Sequence, residues 1–286
     1  MKKIILLLAT LILLSGCSLK KDNLENSTIY TTIYPIKYLT EFLYKDYANI
    51  ESIYPAGADV LNYKLTEKQT KKYANADLFI YNGLSNEKNI TKNLINKNRN
   101  LLIIDVSNGL SYTYGVKELW MSPNNYLMLA KNIKDYLIEY LKSSIITENV
   151  EKKYNELAEI LSIKDAELRE IGKKALENGT NTIVVSDNVF KFLENYGFNI
   201  VSLDEETLTE SSLNSIKNSF AKKKYKTIFV LDNNYTDNIK SIINDNKANA
   251  VDIKSMMNTD ANNSNEDYLV VLQDLIDNIR NLCIAN

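Results

Sequence analysis

The sequence predicts an α/β protein of two lobes, each with a parallel four-stranded sheet flanked by helices, the two joined by one long rigid helix. Three observations predict it. Short runs of β-branched and aromatic residues alternate with segments of helical spacing, which is the pattern of βαβ units. This rhythm occupies the first half of the chain and resumes in the second. Between them lies a helical pattern from about Glu148 to Leu176 with no proline and one glycine, Gly172. A chain of 286 residues, 45% of them hydrophobic, has enough apolar material for two such domains.

The N-terminus comes first. Lys2-Lys3 precede an apolar run, Ile4 to Leu14, and then Ser15-Gly16-Cys17. A basic start and a short apolar stretch predict a secretory signal, too short for a comfortable membrane span. Leu14-Ser15-Gly16-Cys17 matches the bacterial lipobox, so residues 1–17 are expected to be a lipoprotein signal with Cys17 as the lipid anchor and an extracytoplasmic protein held at the cell membrane. Residues 18–27, SLKKDNLENS, are polar and turn-rich and predict a flexible tether reaching roughly 15–20 Å.

Residues 28–142 predict the first lobe. Ile29 to Ile33 is a strand by its β-branched and aromatic content, and Tyr34-Pro35 stops it. Ile36 to Leu43 has helical spacing, Ile50 to Tyr54 is a second strand, and Thr66 caps a helix ending at Asn75. Asp77 to Tyr81 and Leu101 to Val106 are the third and fourth strands, and Asn124 to Lys142 is an amphipathic helix. Residues 143–178 are the connecting helix. Residues 179–286 predict the second lobe, with strands at Thr182–Ser186, Ile200–Leu203, Thr227–Leu231 and Ala250–Ile253 and a closing helix from Asp267 to Leu282. Two such lobes leave a cleft between the carboxyl ends of their sheets, where open α/β folds bind ligands.

Composition narrows the chemistry. The net charge is −2 and the lysines and acids are interspersed, so nothing points to nucleic acid. The chain has no histidine, which excludes Ser-His and Cys-His nucleophile pairs and a histidine base. There is no Walker loop and no GxGxxG segment. A binding protein is predicted rather than an enzyme. Only Cys17 and Cys283 exist, so a lipidated Cys17 leaves no intrachain disulfide, and Cys283 lies in an apolar helical pattern as a small buried hydrophobe.

What remains is a set of acids at strand ends and loop entries: Glu118, Asp187, Asp204, Glu205, Asp232 and Glu266-Asp267. Each alone reads as a helix cap or a solvated loop acid. As a group at one edge of two sheets they would repel one another without a cation.

Seven segments in this order carry a resemblance: TTIYPI (31–36), PAGADVLNY (55–63), NADLFIYNG (75–83), LLIIDVSNG (101–109), ELWMSPNNYLMLAKNI (118–133), VVSDNVFKFLENYG (184–197) and EDYLVVLQDLIDNI (266–279). The chain resembles the zinc- and manganese-binding lipoproteins that serve bacterial ABC importers as solute-binding proteins. The resemblance implies a divalent metal of the Mn or Zn class as cargo, an ABC permease as partner, no catalytic cofactor and a monomer. It also implies metal ligands at Glu118, Asp187 and either Glu266 or Asp267, with Asp59, Asn62 and Asp232 as secondary candidates. Family members carry histidine at the positions of Leu61 and Glu118, and histidine or glutamate at that of Asp187. Leucine has no donor atom, and the surviving candidates are oxygen donors, which suit Mn²⁺ better than Zn²⁺. The alternative is a re-purposed surface lipoprotein of the same fold that binds a non-metal solute or a protein or cell-wall partner.

Overall fold

The computed structural model describes residues 24–263 and 265–284. Cys17 and most of the expected tether lie outside the described residues.

The first lobe is built from β1 (Ser27–Thr31), α1 (Tyr34–Tyr44), β2 (Ala48–Ser52), α2 (Glu67–Ala74), β3 (Leu78–Tyr81), α3 (Glu87–Lys97) and β4 (Leu102–Asp105). Two consecutive helices, α4 (Glu118–Met121) and α5 (Pro123–Tyr140), lead to the long α6 (Ser144–Asn178). The second lobe follows as β5 (Thr182–Val185), a 3₁₀ helix (Asn188–Tyr196), β6 (Asn199–Ser202), α7 (Glu210–Ala221), β7 (Thr227–Leu231), α8 (Asp237–Asn246), β8 (Asn249–Ile253) and α9 (Tyr268–Cys283). Both sheets are wholly parallel, with orders β2-β1-β3-β4 and β6-β5-β7-β8. The predicted fold class is therefore the one observed. In each sheet the chain reverses its direction of winding beside the first strand, between β1 and β3 and between β5 and β7. That is where an α/β sheet opens a crevice at its carboxyl edge.

Local chemistry explains the boundaries. Pro35 lies in the first turn of α1, where its missing N–H is no loss and its fixed φ favours the helix. The Tyr34-Pro35 pair thus starts a helix as well as ending a strand. Thr66 caps α2 as predicted, in a reciprocal box with Gln69. Gly179, at φ +71°, ends α6 in the left-handed conformation that glycine adopts without strain. The expected tether ends sooner than residue 27. Leu24 is buried, the Asn26 N–H donates to the Tyr47 carbonyl at 2.6 Å, and Ser27 already belongs to β1. An apolar side chain with a place in the core holds the chain from residue 24.

One hydrophobic core runs through both lobes. It takes in Ile29, Leu78 and Ile104 of the first sheet, Leu157, Leu161 and Leu168 of α6, and Phe190, Phe229 and Ile276 of the second lobe. A separate, smaller core lies under α7 and α8, with Val184, Leu203, Phe220, Ile228, Val230 and Ile239 among its members. Gly172 faces the Tyr196 carbonyl so closely that a Cβ there would overlap its oxygen. The glycine lets the long helix lie against the 3₁₀ helix. Cys283 is buried, and burial pushes its thiol up to about 11.

Polar bonds tie the lobes together at the cleft. The Trp120 indole N–H donates to the Ser255 carbonyl at 2.8 Å. The Tyr268 hydroxyl donates to the Trp120 carbonyl. The side-chain amide of Asn262 bonds both backbone groups of Ser52, at 2.8 and 3.1 Å. These bonds, with the shared core, join the two lobes.

Candidate metal site in the interlobe cleft

The cleft between the carboxyl edges has a volume of about 740 Å³, and Leu61, Lys117, Asp187 and Asn188 are among its lining residues. Leu61 is open to it at 53% exposure, so an apolar side chain stands where the resemblance implies a ligand. Its loop is shaped by its own polar groups. The Asp59 carboxylate accepts the Leu61 N–H at 3.1 Å and the Asn62 amide at 2.8 Å. The Asn62 hydrogen bond is the main influence holding the Asp59 carboxyl below its usual range. Two of the three secondary candidates, Asp59 and Asn62, are thus bonded to each other.

Glu118 opens α4 and is buried. Its Oε2 accepts the backbone N–H groups of Thr113 and Tyr114, both at 3.0 Å, and its Oε1 receives the Asn125 amide at 3.4 Å. The carboxylate is occupied in closing its own loop, whose turn is made by Gly115 at φ +115°. That loop ends at Lys117.

Asp187 follows β5 after one intervening residue and Asp232 follows β7 directly, so they stand on either side of the switch point of the second sheet. Asp187 caps the 3₁₀ helix, accepting the Val189 N–H at 2.8 Å. Asp232 accepts the Ser255 N–H at 2.7 Å and the Ser255 hydroxyl at 2.6 Å. Asp232 and Asn233 are both left-handed, at φ +50° and +57°, a conformation that Asp and Asn tolerate better than other side chains do. The ammonium of Lys117 lies between the two carboxylates, 3.3 Å from Asp232 and 3.9 Å from Asp187. A lysine of the first lobe thus reaches across the cleft to a pair of acids of the second.

The acids before α9 are partnered as well. Glu266 pairs with Lys254, beside Asp232 and Asp260 in an adjoining hollow. Asp267 caps α9, accepting the Leu269 N–H at 2.7 Å, and receives the Tyr38 hydroxyl at 3.1 Å. The structure therefore brings Asp187 together with Asp232 and leaves Glu118 and Asp267 in separate hydrogen-bonded settings. Among the described residues no three Cys, Asp or Glu side chains gather as a metal cage. Lys117 was not singled out by the sequence reading. Its one signal in the sequence is a cation immediately before Glu118.

Two parallel-sheet lobes on a long helix, with a polar cleft at both carboxyl edges, are an architecture that suits a solute-binding protein. The comparisons place the chain more closely. Residues 29–282 match the family described as zinc-uptake complex component A, periplasmic, and the chain belongs to that family. It is 28% identical to the metal ABC transporter substrate-binding lipoprotein ScbA of Streptococcus cristatus, over 79% of this chain and 80% of that one. It is likewise 28% identical to the manganese ABC transporter substrate-binding lipoprotein ScaA of Streptococcus gordonii, over 79% of this chain and 80% of that one. Its fold matches the crystal structure of the metal-dependent lipoprotein YcdH from Bacillus subtilis with a TM-score of 0.73 at 18% identity, over 90% of this chain and 99% of that one.

Proposed function

We propose that this chain is the extracytoplasmic solute-binding component of a metal-type ABC importer. A lipid on Cys17 holds it at the membrane as a monomer, and it takes a divalent cation into the interlobe cleft for delivery to a permease. It binds and releases; it performs no reaction. One observation carries the reading: Asp187 and Asp232, at the switch point of the second sheet, share a single positive charge. Two carboxylates at that place are a receptor for a cation. Family membership and the metal-transporter descriptions of the relatives support the same cargo class. Because the available donors are oxygens, Mn²⁺ is favoured over Zn²⁺, which leans on nitrogen and sulfur. Asp187 and Asp232 are the ligands, and Glu266, which lines the hollow that Asp232 also lines, is a further acid on that side.

A second reading has its own support. Each of the acids Glu118, Asp187, Asp232, Glu266 and Asp267 already has a partner within the protein. A cleft whose acids are satisfied in this way also suits a non-metal solute or a protein or cell-wall partner. The deciding experiment is elemental analysis of protein purified without a histidine tag, with melting curves in Mn²⁺ and Zn²⁺. A cation that binds only the native state stabilises it by about 2.7 kcal/mol at one hundred times its Kd. Asp187→Asn and Asp232→Asn should each abolish the rise. Metal-free protein whose melting curve ignores both ions would overturn the metal reading in favour of the second.

A further inference from the structure

Lys117 has a role that neither its sequence position nor the family description assigns. We propose that it is a tethered occupant of the cargo site, which offsets part of the charge of Asp187 and Asp232 and which a metal ion must displace. The proposal rests on the metal-cargo reading above and adds the residue that sets its selectivity.

The geometry is specific. Lys117 ends the loop that Glu118 ties down through the Thr113 and Tyr114 N–H groups, so the stem of the lysine starts from a fixed point. Three residues on, Trp120 bonds the Ser255 carbonyl, and Ser255 in turn donates twice to Asp232. The short helix α4 thus grips one loop of the second lobe by its indole while the preceding lysine meets the carboxylate that the same loop holds. Asp232 sits on a left-handed backbone, its carboxylate aimed by Ser255 at the ammonium. The side chains of Lys117, Asp187 and Asp232 are 26%, 33% and 25% exposed. They are covered enough to feel each other's charge and open enough for an ion to enter from the cleft.

Charge then sets the selectivity. A sodium or potassium ion carries the same single charge as the ammonium and has no tether, so it gains nothing by exchange. A divalent ion brings twice the charge to the same two carboxylates and accepts both as inner ligands. The displaced ammonium is free to swing into the cleft, toward Asp204, Glu205 and Glu206 of its far wall. Capture is an exchange of one cation for another, and the affinity for metal is lower by whatever holds Lys117 in place.

The test is calorimetric titration with Mn²⁺ alone, at fixed ionic strength, of wild type, Lys117→Met, Lys117→Gln and the triple variant Lys117→Met/Asp187→Asn/Asp232→Asn. Both single variants should bind Mn²⁺ at least tenfold more tightly than wild type, and the triple variant should lose the gain. Two different replacements guard against a folding defect in either, and circular dichroism at the titration temperature confirms the fold. Equal Mn²⁺ affinity in wild type and both single variants would overturn the proposal and leave the cargo reading standing. A gain that survives in the triple variant would overturn it too, since the ion would then sit elsewhere. Absence of Mn²⁺ binding in wild type and both single variants would overturn both.

Discussion

Replacing Glu118 by alanine tests whether that carboxylate belongs to the loop or to a metal. Its Oε2 accepts two backbone N–H groups, both at 3.0 Å, and the residue is buried. Hydrogen bonds to an ionised acceptor contribute about 1.5–3 kcal/mol each when their loss leaves a buried donor unpaired. Thr113 is exposed and Tyr114 half-buried, so water replaces part of what is lost. The net cost of Glu118→Ala is then about 2 kcal/mol, with a smaller cost for Glu118→Gln, whose carbonyl oxygen can still accept both donors. For a protein of this size 1 kcal/mol lowers Tm by about 2–4 °C, so the alanine variant should melt roughly 4–8 °C below wild type. The assay is thermal and urea unfolding in chelator-treated buffer, which removes any metal contribution. An alanine variant as stable as wild type in chelator, but deficient in Mn²⁺ binding, would refute the loop role and return Glu118 to the ligand set.

Glu87 should make stability depend on pH. It is buried, with Asn82 N–H donating to its Oε2 at 2.7 Å, and burial raises its carboxyl to about 7 from an ordinary value of 4.5. A folded pKa above the unfolded one means a contribution fully present below pH 4.5 and lost as pH rises through 7. The loss is roughly 3 kcal/mol by pH 8, and urea titrations of Glu87→Gln across that window should show a flatter profile than wild type. Gly172→Ala should destabilise by about 1–3 kcal/mol in the same assay, because the Tyr196 carbonyl leaves no room for a methyl group, whereas an exposed helical glycine would gain from the change. Cys17→Ser should release the protein from membranes in a fractionation after a high-salt wash, since a lipid on that residue is the proposed anchor and no described helix is long and apolar enough to cross a membrane.

The strands were legible because parallel strands buried on both faces read as continuous apolar runs. LFIY of β3 and TIFVL of β7 are such runs, and they lie where expected. β1 and β2 begin two residues earlier than their apolar content predicts. Ser27 and Thr28 look like loop residues, and only pairing with Ala48 and Asn49 makes them strand. The helix α3 has little sequence signature, because EKNITKNLINK offers only Ile90, Thr91 and Leu94, with Glu87, to the interior. For the site, strand ends were again the guide. Asp187 and Asp232 were picked out because each follows a recognisable strand, and their convergence is a consequence of the sheet order. Lys117 had no such marker, since its meaning comes from a loop of one lobe meeting two strand ends of the other. Glu118 matched a ligand position by register, but its carboxylate is turned back on residues four and five places earlier, a local bond that register does not reveal.

The division of the second lobe into two apolar clusters bears on how the molecule opens. The cluster beneath α7 and α8 is small and is built largely from that lobe's own outer face, whereas β5 and β7 also contribute Ile183, Val185, Phe229 and Leu231 to the large shared core. Amide hydrogens in α7 and α8 should therefore exchange with deuterium through a local opening, faster than those of β5 and β7, which are released only when the shared core comes apart. Such a hierarchy lets the outer cover of the lobe breathe on its own while the strand ends that carry Asp187 and Asp232 stay in register, so the proposed ion site would be insulated from fluctuations a few residues away.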